Sequence, residues 1–307
     1  MIHMSDTVRI FEVGPRDGLQ NEKTPVSVAD RIAFIEALLD AGLRTIEVGA
    51  FVSPKAIPQM VNSDQVLRSI SHRTDGEFEV LVPNEKGYNA AHAAGAREIA
   101  VFAAASESFS RANINCSIAE SIERFKPVMA RAKADDIKVR GYVSCVLGCP
   151  YEGEIKPQAV VDVVKALWSL GCYEISLGDT IGVGTPLKSR QLLRAVAGAV
   201  PIAKLAMHFH DTYGQALANL YAGMEEGARV IDSAAGGLGG CPFAPGATGN
   251  VATEDVVYML EGTGIKTGID MGKLVAATNQ ISKLIGRAPA SRVAAAINAK
   301  GRVANSQ

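Results

Sequence analysis

Two histidines one residue apart, in Met207-His208-Phe209-His210-Asp211-Thr212, open the chemical reading of this chain. In an extended strand alternate side chains point to one side, so His208 and His210 share a face. Two imidazoles side by side at the inner end of a strand make a pair of metal ligands. The plainer alternative is a pair of hydrogen-bonded core histidines. His3, His72 and His92 fall at a terminus or in helical and loop segments and are expected on the surface.

Two other segments carry similar potential. Near the start, Gly14-Pro15-Arg16-Asp17-Gly18-Leu19-Gln20 follows an apolar run. It sets a fixed cation, Arg16, beside a carboxylate, Asp17. A solvated turn with a local ion pair would look the same. The stretch from Gly236 to Asn250 holds Cys241 among closely spaced glycines, on a segment long enough to act as a lid. Glycine-rich backbone gives a thiol little apolar cover, which favours a reactive Cys241 over an inert one. Asn250 either caps the helix that follows or turns its carboxamide oxygen toward a metal. Glu47 and Asp179 stand near strand ends, where a carboxylate could steady Arg16 or a metal ligand. Tyr142 and Ser144 end another strand and fit packing as well as chemistry.

The elements that must position these groups alternate regularly. Short β-branched runs at 8–13, 45–49, 78–82, 99–103, 139–143, 174–177, 205–210 and 230–233 read as strands. Helical periodicity lies between them, as at 28–41, 118–134 and 159–170. Gly42, Gly95, Gly171 and Gly227 follow helical stretches, where a left-handed cap is needed. Eight such alternations suggest parallel strands joined by helical crossovers. No G-x-G-x-x-G follows the first strand, and reactive residues follow many different strands. Both points favour a (β/α)8 barrel, whose site is built at the C-terminal strand ends, over an open doubly wound sheet. One catalytic domain over 1–307 is expected, with extra C-terminal helices from about residue 255, at 254–262, 271–285 and 291–299.

Composition narrows the function further. A hydrophobic fraction of 48% supports a large core, and a formal net charge of −1 provides no field for nucleic acid or an anionic membrane. No apolar run approaches the ~18 residues of a membrane span. The first nine residues lack an apolar or Arg-rich targeting pattern, so a cytoplasmic enzyme or an already processed chain is expected. Five scattered cysteines, Cys116, Cys145, Cys149, Cys172 and Cys241, read as reduced thiols rather than disulfides or a zinc clip.

Taken as blocks, E-V-G-P-R-D-G-L-Q-N-E (12–22), R-G-Y-V-S-C (140–145), G-C-Y-E-I-S-L-G-D-T-I-G-V-G-T-P (171–186), H-F-H-D-T-Y-G-Q-A-L-A-N (208–219) and G-L-G-G-C-P-F-A-P-G-A-T-G-N-V-A-T-E-D (237–255) closely resemble the 3-hydroxy-3-methylglutaryl-CoA lyases, from about residue 8 to 285. The R-D-G and H-x-H elements are shared with related Claisen-condensing synthases, whereas the Cys-bearing loop and the 171–186 block are more specific to the lyases. The resemblance implies metal ligation by Asp17, His208, His210 and Asn250, with Mg2+ or Mn2+ as the ion; the same donors accommodate Zn2+. It implies Arg16 beside the thioester carbonyl and Cys241 as the mobile acid/base, with Gln20, Glu47, Tyr142, Asp179 and Glu254 around them. It further implies an acyl-CoA substrate, cleavage to acetyl-CoA and acetoacetate, and a homodimer. The hydroxyl proton goes to His208, Asp17 or the metal environment. A Claisen-type synthase is the competing reading, and the short tail after residue 255 argues against its accessory domain. The tail holds no cysteine, so the thiol switch of some relatives is not expected.

Overall fold

The computed structural model describes residues 7–240 and 249–304. Its eight parallel strands close into a barrel in sequential order, β1 to β8, with β8 returning to β1. They are β1 (Arg9–Glu12), β2 (Thr45–Ala50), β3 (Glu77–Leu81), β4 (Glu98–Ala104), β5 (Lys138–Ser144), β6 (Glu174–Asp179), β7 (Leu205–Phe209) and β8 (Val230–Ser233). Around them run α1 (Val28–Asp40), α2 (Ser63–Ile70), α3 (Glu85–Ala93), α4 (Glu107–Ile114), α5 (Ile118–Ala134), α6 (Pro157–Leu170), α7 (Pro186–Ala197) and α8 (Ala216–Glu225). Three further helices, α9 (Thr253–Gly262), α10 (Met271–Ile285) and α11 (Arg292–Ala304), follow the last strand. Among the described residues no helix is long and apolar enough to cross a membrane.

The expected alternation is therefore observed, with strand ends shifted by one or two residues. β6 runs on to include Asp179, and β7 stops at Phe209, leaving His210 in an isolated bridge with Asn250. The four glycines expected to follow helices all have positive φ, between 90° and 108°, a backbone region that Cβ-bearing residues avoid. Cys116, Cys145, Cys149 and Cys172 are buried thiols, and His72 and His92 are exposed.

Between barrel and helices the core is aliphatic, but the barrel axis is not. Arg140, on β5, has no exposure. It donates from Nε to Glu174 (2.8 Å), from NH1 to the Tyr142 hydroxyl (2.9 Å) and to Asp232 through both NH1 (3.1 Å) and NH2 (2.7 Å). Its guanidinium also lies 4.1 Å from the centre of the Phe11 ring. A charge this deep is tolerated only because each of its three nitrogens finds an acceptor and two carboxylates balance it.

A second buried acid closes the seam. Glu12 ends β1 and accepts from the backbone of Gly14 (2.8 Å) and Ala235 (2.9 Å) and from the Thr253 hydroxyl (2.6 Å). One side chain thus fastens the ends of β1 and β8 to the start of α9. Burial pushes its carboxyl up to about 7, against the pull of those three donors. Glu12 therefore binds its proton more tightly folded than unfolded. Its contribution is complete below the unfolded value of 4.5 and declines as pH rises toward about 7. Glu12→Gln can keep the bonds and cannot titrate. Urea unfolding at pH 5 and pH 8 should show the stability difference moving in favour of the variant by about 3 kcal/mol as pH rises. A difference that stays constant with pH would show that Glu12 is ionised in the fold throughout.

Candidate active site

After β1 the chain makes a single π-turn, Gly14–Gly18, with Pro15 in its first turn and the amides of Arg16 and Gly18 both bonded to Val13 O. Such turns re-aim consecutive side chains, and they recur at functional sites. Here Arg16 is turned to β2, where its Nε lies 2.6 Å from Glu47, and its NH1 lies 3.0 Å from Asp17. The β2 ladder shifts register between Glu47 and Gly49. Burial works against the Arg16 charge, but Glu47 and Asp17 outweigh it and raise the guanidinium further above its usual range. Burial likewise pushes Glu47 up to about 7, opposed by Arg16.

Asp17 is the meeting point. Its Oδ1 accepts from Arg16 (3.0 Å) and Gln20 (2.9 Å), and its Oδ2 accepts from Asn250 Nδ2 (2.8 Å). His208 Nε2 stands 3.8 Å from the same Oδ2. The His208 and His210 rings lie 5.5 Å apart. One potential ligand atom from each of Asp17, His208 and His210 falls within 4.8 Å of the others. Asn250 joins them because its bridge to His210 places it across the mouth from β1. Its Nδ2 is spent on Asp17 and on Leu238 O (3.2 Å), and its buried Oδ1 has no partner; neither has His210 Nδ1. Two orphaned lone pairs on facing bridge residues, next to a carboxylate and a second imidazole, fit a divalent cation.

Protonation follows the same layout. Burial opposes ionisation of Asp17, but Arg16 and the two histidines hold it below the usual carboxylate range. Burial, aided by the neighbouring His208, pushes His210 down to about 4, so its ring is neutral with a lone pair to give. His208 is raised despite burial, because Asp232 and Asp17 flank it. Asp232 itself, though buried, is held far down by Arg140 and His208.

These groups form one end of a cavity of about 540 Å³, lined by Arg16, Asp17, Gln20, Tyr142, Ser144, His208 and His210. Leu81, Phe102, Phe109 and Ile114 make its apolar wall. Tyr142 presents its ring to the cavity, edge-on to His208 and beside Arg16, while its hydroxyl turns inward to Glu79 (3.0 Å) and Arg140. Gly240 reaches the cavity rim, and Gly249 passes so close to Gly239 that a Cβ would stand 2.6 Å from its carbonyl. Cys241 lies between them, outside the described residues.

Of the residues singled out in the sequence, Arg16, Asp17, Gln20, Glu47, Tyr142, His208, His210 and Asn250 are brought together. Asp179 and Glu254 do different work. Asp179 accepts from the amides of Val183 (3.2 Å) and Gly184 (2.7 Å), tying down the turn after β6. Glu254 accepts from Gly236 N and the Thr278 hydroxyl, anchoring the first left-handed glycine of the rim segment to α10. The reading missed Asp232, Arg140 and Glu12. Each is a charged residue within or at the end of a strand, Arg140 in phase with Tyr142, and its role depends on which strands lie beside it.

Comparison with known proteins agrees with this site. The HMGL-like family model matches residues 7–281. A Pseudomonas aeruginosa protein named 3-hydroxy-3-isohexenylglutaryl-CoA/hydroxy-methylglutaryl-CoA lyase is 56% identical over 299 residues, spanning 97% of this chain and all of that one. The crystal structure of hydroxymethylglutaryl-CoA lyase from Pseudomonas aeruginosa superposes with a TM-score of 0.93 at 56% identity, covering 96% of this chain and 98% of that one. An HMG-CoA lyase from Acinetobacter baumannii, solved with coenzyme A and 3-methylmalate, gives a TM-score of 0.91 at 38% identity, over 96% and 97% of the two chains. The barrel, the site at its mouth and these likenesses agree: the chain belongs to the HMGL-like family and, within it, to the hydroxymethylglutaryl-CoA lyases.

Proposed function

We propose that this lyase cleaves 3-hydroxy-3-methylglutaryl-CoA to acetyl-CoA and acetoacetate. The observation that carries the reading is that one turn sets Asp17, a member of a cluster fit for a divalent ion, beside Arg16, a buried guanidinium braced by two carboxylates. The similarity to a lyase solved with coenzyme A supports a CoA thioester as substrate. Asp17, His208, His210 and Asn250 would hold Mg2+ or Mn2+. Such an ion supplies a Lewis acid for the substrate's hydroxyl and carboxylate.

The side chains account for the rest of the reaction. The hydroxyl proton leaves toward the Asp17–His208 end of the cavity. The C2–C3 bonding pair moves to the thioester, the C3–O bond becomes the ketone of acetoacetate, and the acetyl-CoA enolate remains. Arg16 faces the thioester oxygen and holds its growing negative charge, while Glu47 keeps the guanidinium from swinging. Cys241, on the segment between Gly240 and Asn250, returns a proton to C2 and completes acetyl-CoA.

Three measurements test this reading. Metal-supplemented protein is supplied with several branched 3-hydroxyacyl-CoA thioesters and the products are identified by mass. Acetyl-CoA and acetoacetate should form from the methylglutaryl thioester; turnover of other branches only would overturn the acyl assignment. His210→Ala should lose Mn2+ binding at micromolar concentration while remaining folded, and an unchanged affinity would remove it from the site. Arg16→Gln should lower kcat by about 10²–10³ and leave metal affinity nearly intact. If Arg16 served only to tie down its turn, the same variant would melt earlier and raise KM, with kcat within a few-fold of wild type.

A further inference from the structure

Below the mouth, His208 has a second neighbour that the proposed reaction does not use. Its Nδ1 lies 3.3 Å from Asp232 Oδ2. His208 on β7 and Asp232 on β8 are register partners, so in parallel neighbouring strands their side chains leave on the same face. The contact is therefore dictated by strand pairing rather than by a loop. Asp232 has no exposure, and its other bonds are complete. Oδ1 accepts from Arg140 NH2 at 2.7 Å, and Oδ2 accepts from Arg140 NH1 at 3.1 Å and from the Ser176 hydroxyl at 2.7 Å. A carboxylate paired in this way can only accept, so the His208 nitrogen facing it must be the donor.

We propose that Asp232 is a positioning residue that fixes His208 as the Nδ1–H tautomer and presents the lone pair of Nε2 to the ion site. Nε2 is 3.8 Å from Asp17 Oδ2, too far to donate to it, and so is left for another partner. The ring is also held from the side. Tyr142 meets it edge-on at 6.1 Å and an interplanar angle of 82°, and the Tyr142 hydroxyl is bonded to the same Arg140 that grips Asp232. Orientation and tautomer are thus set before any ligand arrives. The inference rests on the metal-site reading given above, but its first test requires neither metal nor turnover.

That test is imidazole 15N–1H correlation spectroscopy on the metal-free protein, at a pH high enough to leave the His208 ring neutral, with the His208 signals assigned by their loss in His208→Ala. His208 should show the Nδ1–H pattern; an Nε2–H ring in the wild-type protein overturns the proposal while leaving the lyase reading intact. Asp232→Asn should then lose the fixed tautomer and raise the Kd for Mn2+ by about 10–100-fold, the usual effect of removing a partner behind a metal ligand. A mere loss of packing would lower the melting temperature without changing the ring's protonation pattern. If Asp232→Asn does not fold, Ser176→Ala removes one donor to the same oxygen, and a several-fold rise in the Mn2+ Kd is expected. An unchanged Kd in whichever variant folds overturns the proposal.

Discussion

The bidentate grip of Arg140 on Asp232 is the interaction from which the active end of the barrel is built. A guanidinium inside a closed barrel has no access to water, so its charge must be answered by neighbouring strands. Glu174 on β6 answers below, Asp232 on β8 answers across, and the Tyr142 hydroxyl takes up a remaining donor. Each partner then serves a second purpose. Asp232 reaches His208, Tyr142 offers its ring to the cavity, and Glu174 receives Arg9 from β1. Removing one member would leave an uncompensated charge in the barrel, which typically costs about 3–5 kcal/mol.

The mouth depends on a second constraint, which is to bring together residues far apart in the chain. Asp17 and Asn250 are separated by 233 positions yet share a hydrogen bond of 2.8 Å. Barrel closure supplies the coarse approach, because β8 pairs with β1. Glu12 supplies the fine one by bonding the backbone after β1, the backbone after β8 and the first residue of α9. Glu254 extends the same fastening to Gly236 and α10. The C-terminal helices are thereby part of the site's frame, although none of their side chains lines the cavity.

The strands, the Arg16–Asp17 turn and the histidine pair were legible in the sequence because their signals are local. Short apolar, β-branched runs mark β1 to β8, and His208 with His210 carries its own geometry in a spacing of two. The role of Asp179 was not legible, because a carboxylate at a strand end looks the same whether it faces a ligand or caps a backbone turn. Only the bonds to Val183 and Gly184 distinguish these. Asp232 was missed for the opposite reason. It sits inside a strand, and its meaning depends on which strand lies beside it and in what register, neither of which is written near residue 232.

What the fold leaves unfinished is as informative as what it completes. Buried polar atoms are normally paired, and an unpaired one costs about 1–3 kcal/mol. In the barrel interior Arg140 and Asp232 are satisfied throughout. At the mouth, Asn250 Oδ1 and His210 Nδ1 are buried and unpaired, on residues whose other atoms adjoin Asp17 and His208. No local rearrangement is required to explain them, since the Asn250 amide is already held by Asp17 and Leu238 in the orientation that frees its oxygen. A cation bound there would restore the stability forgone at those two atoms, which would couple ligand binding to folding. A site prepared in this way has fixed donors, with the ordering cost already met by strand pairing and by the charge network beneath.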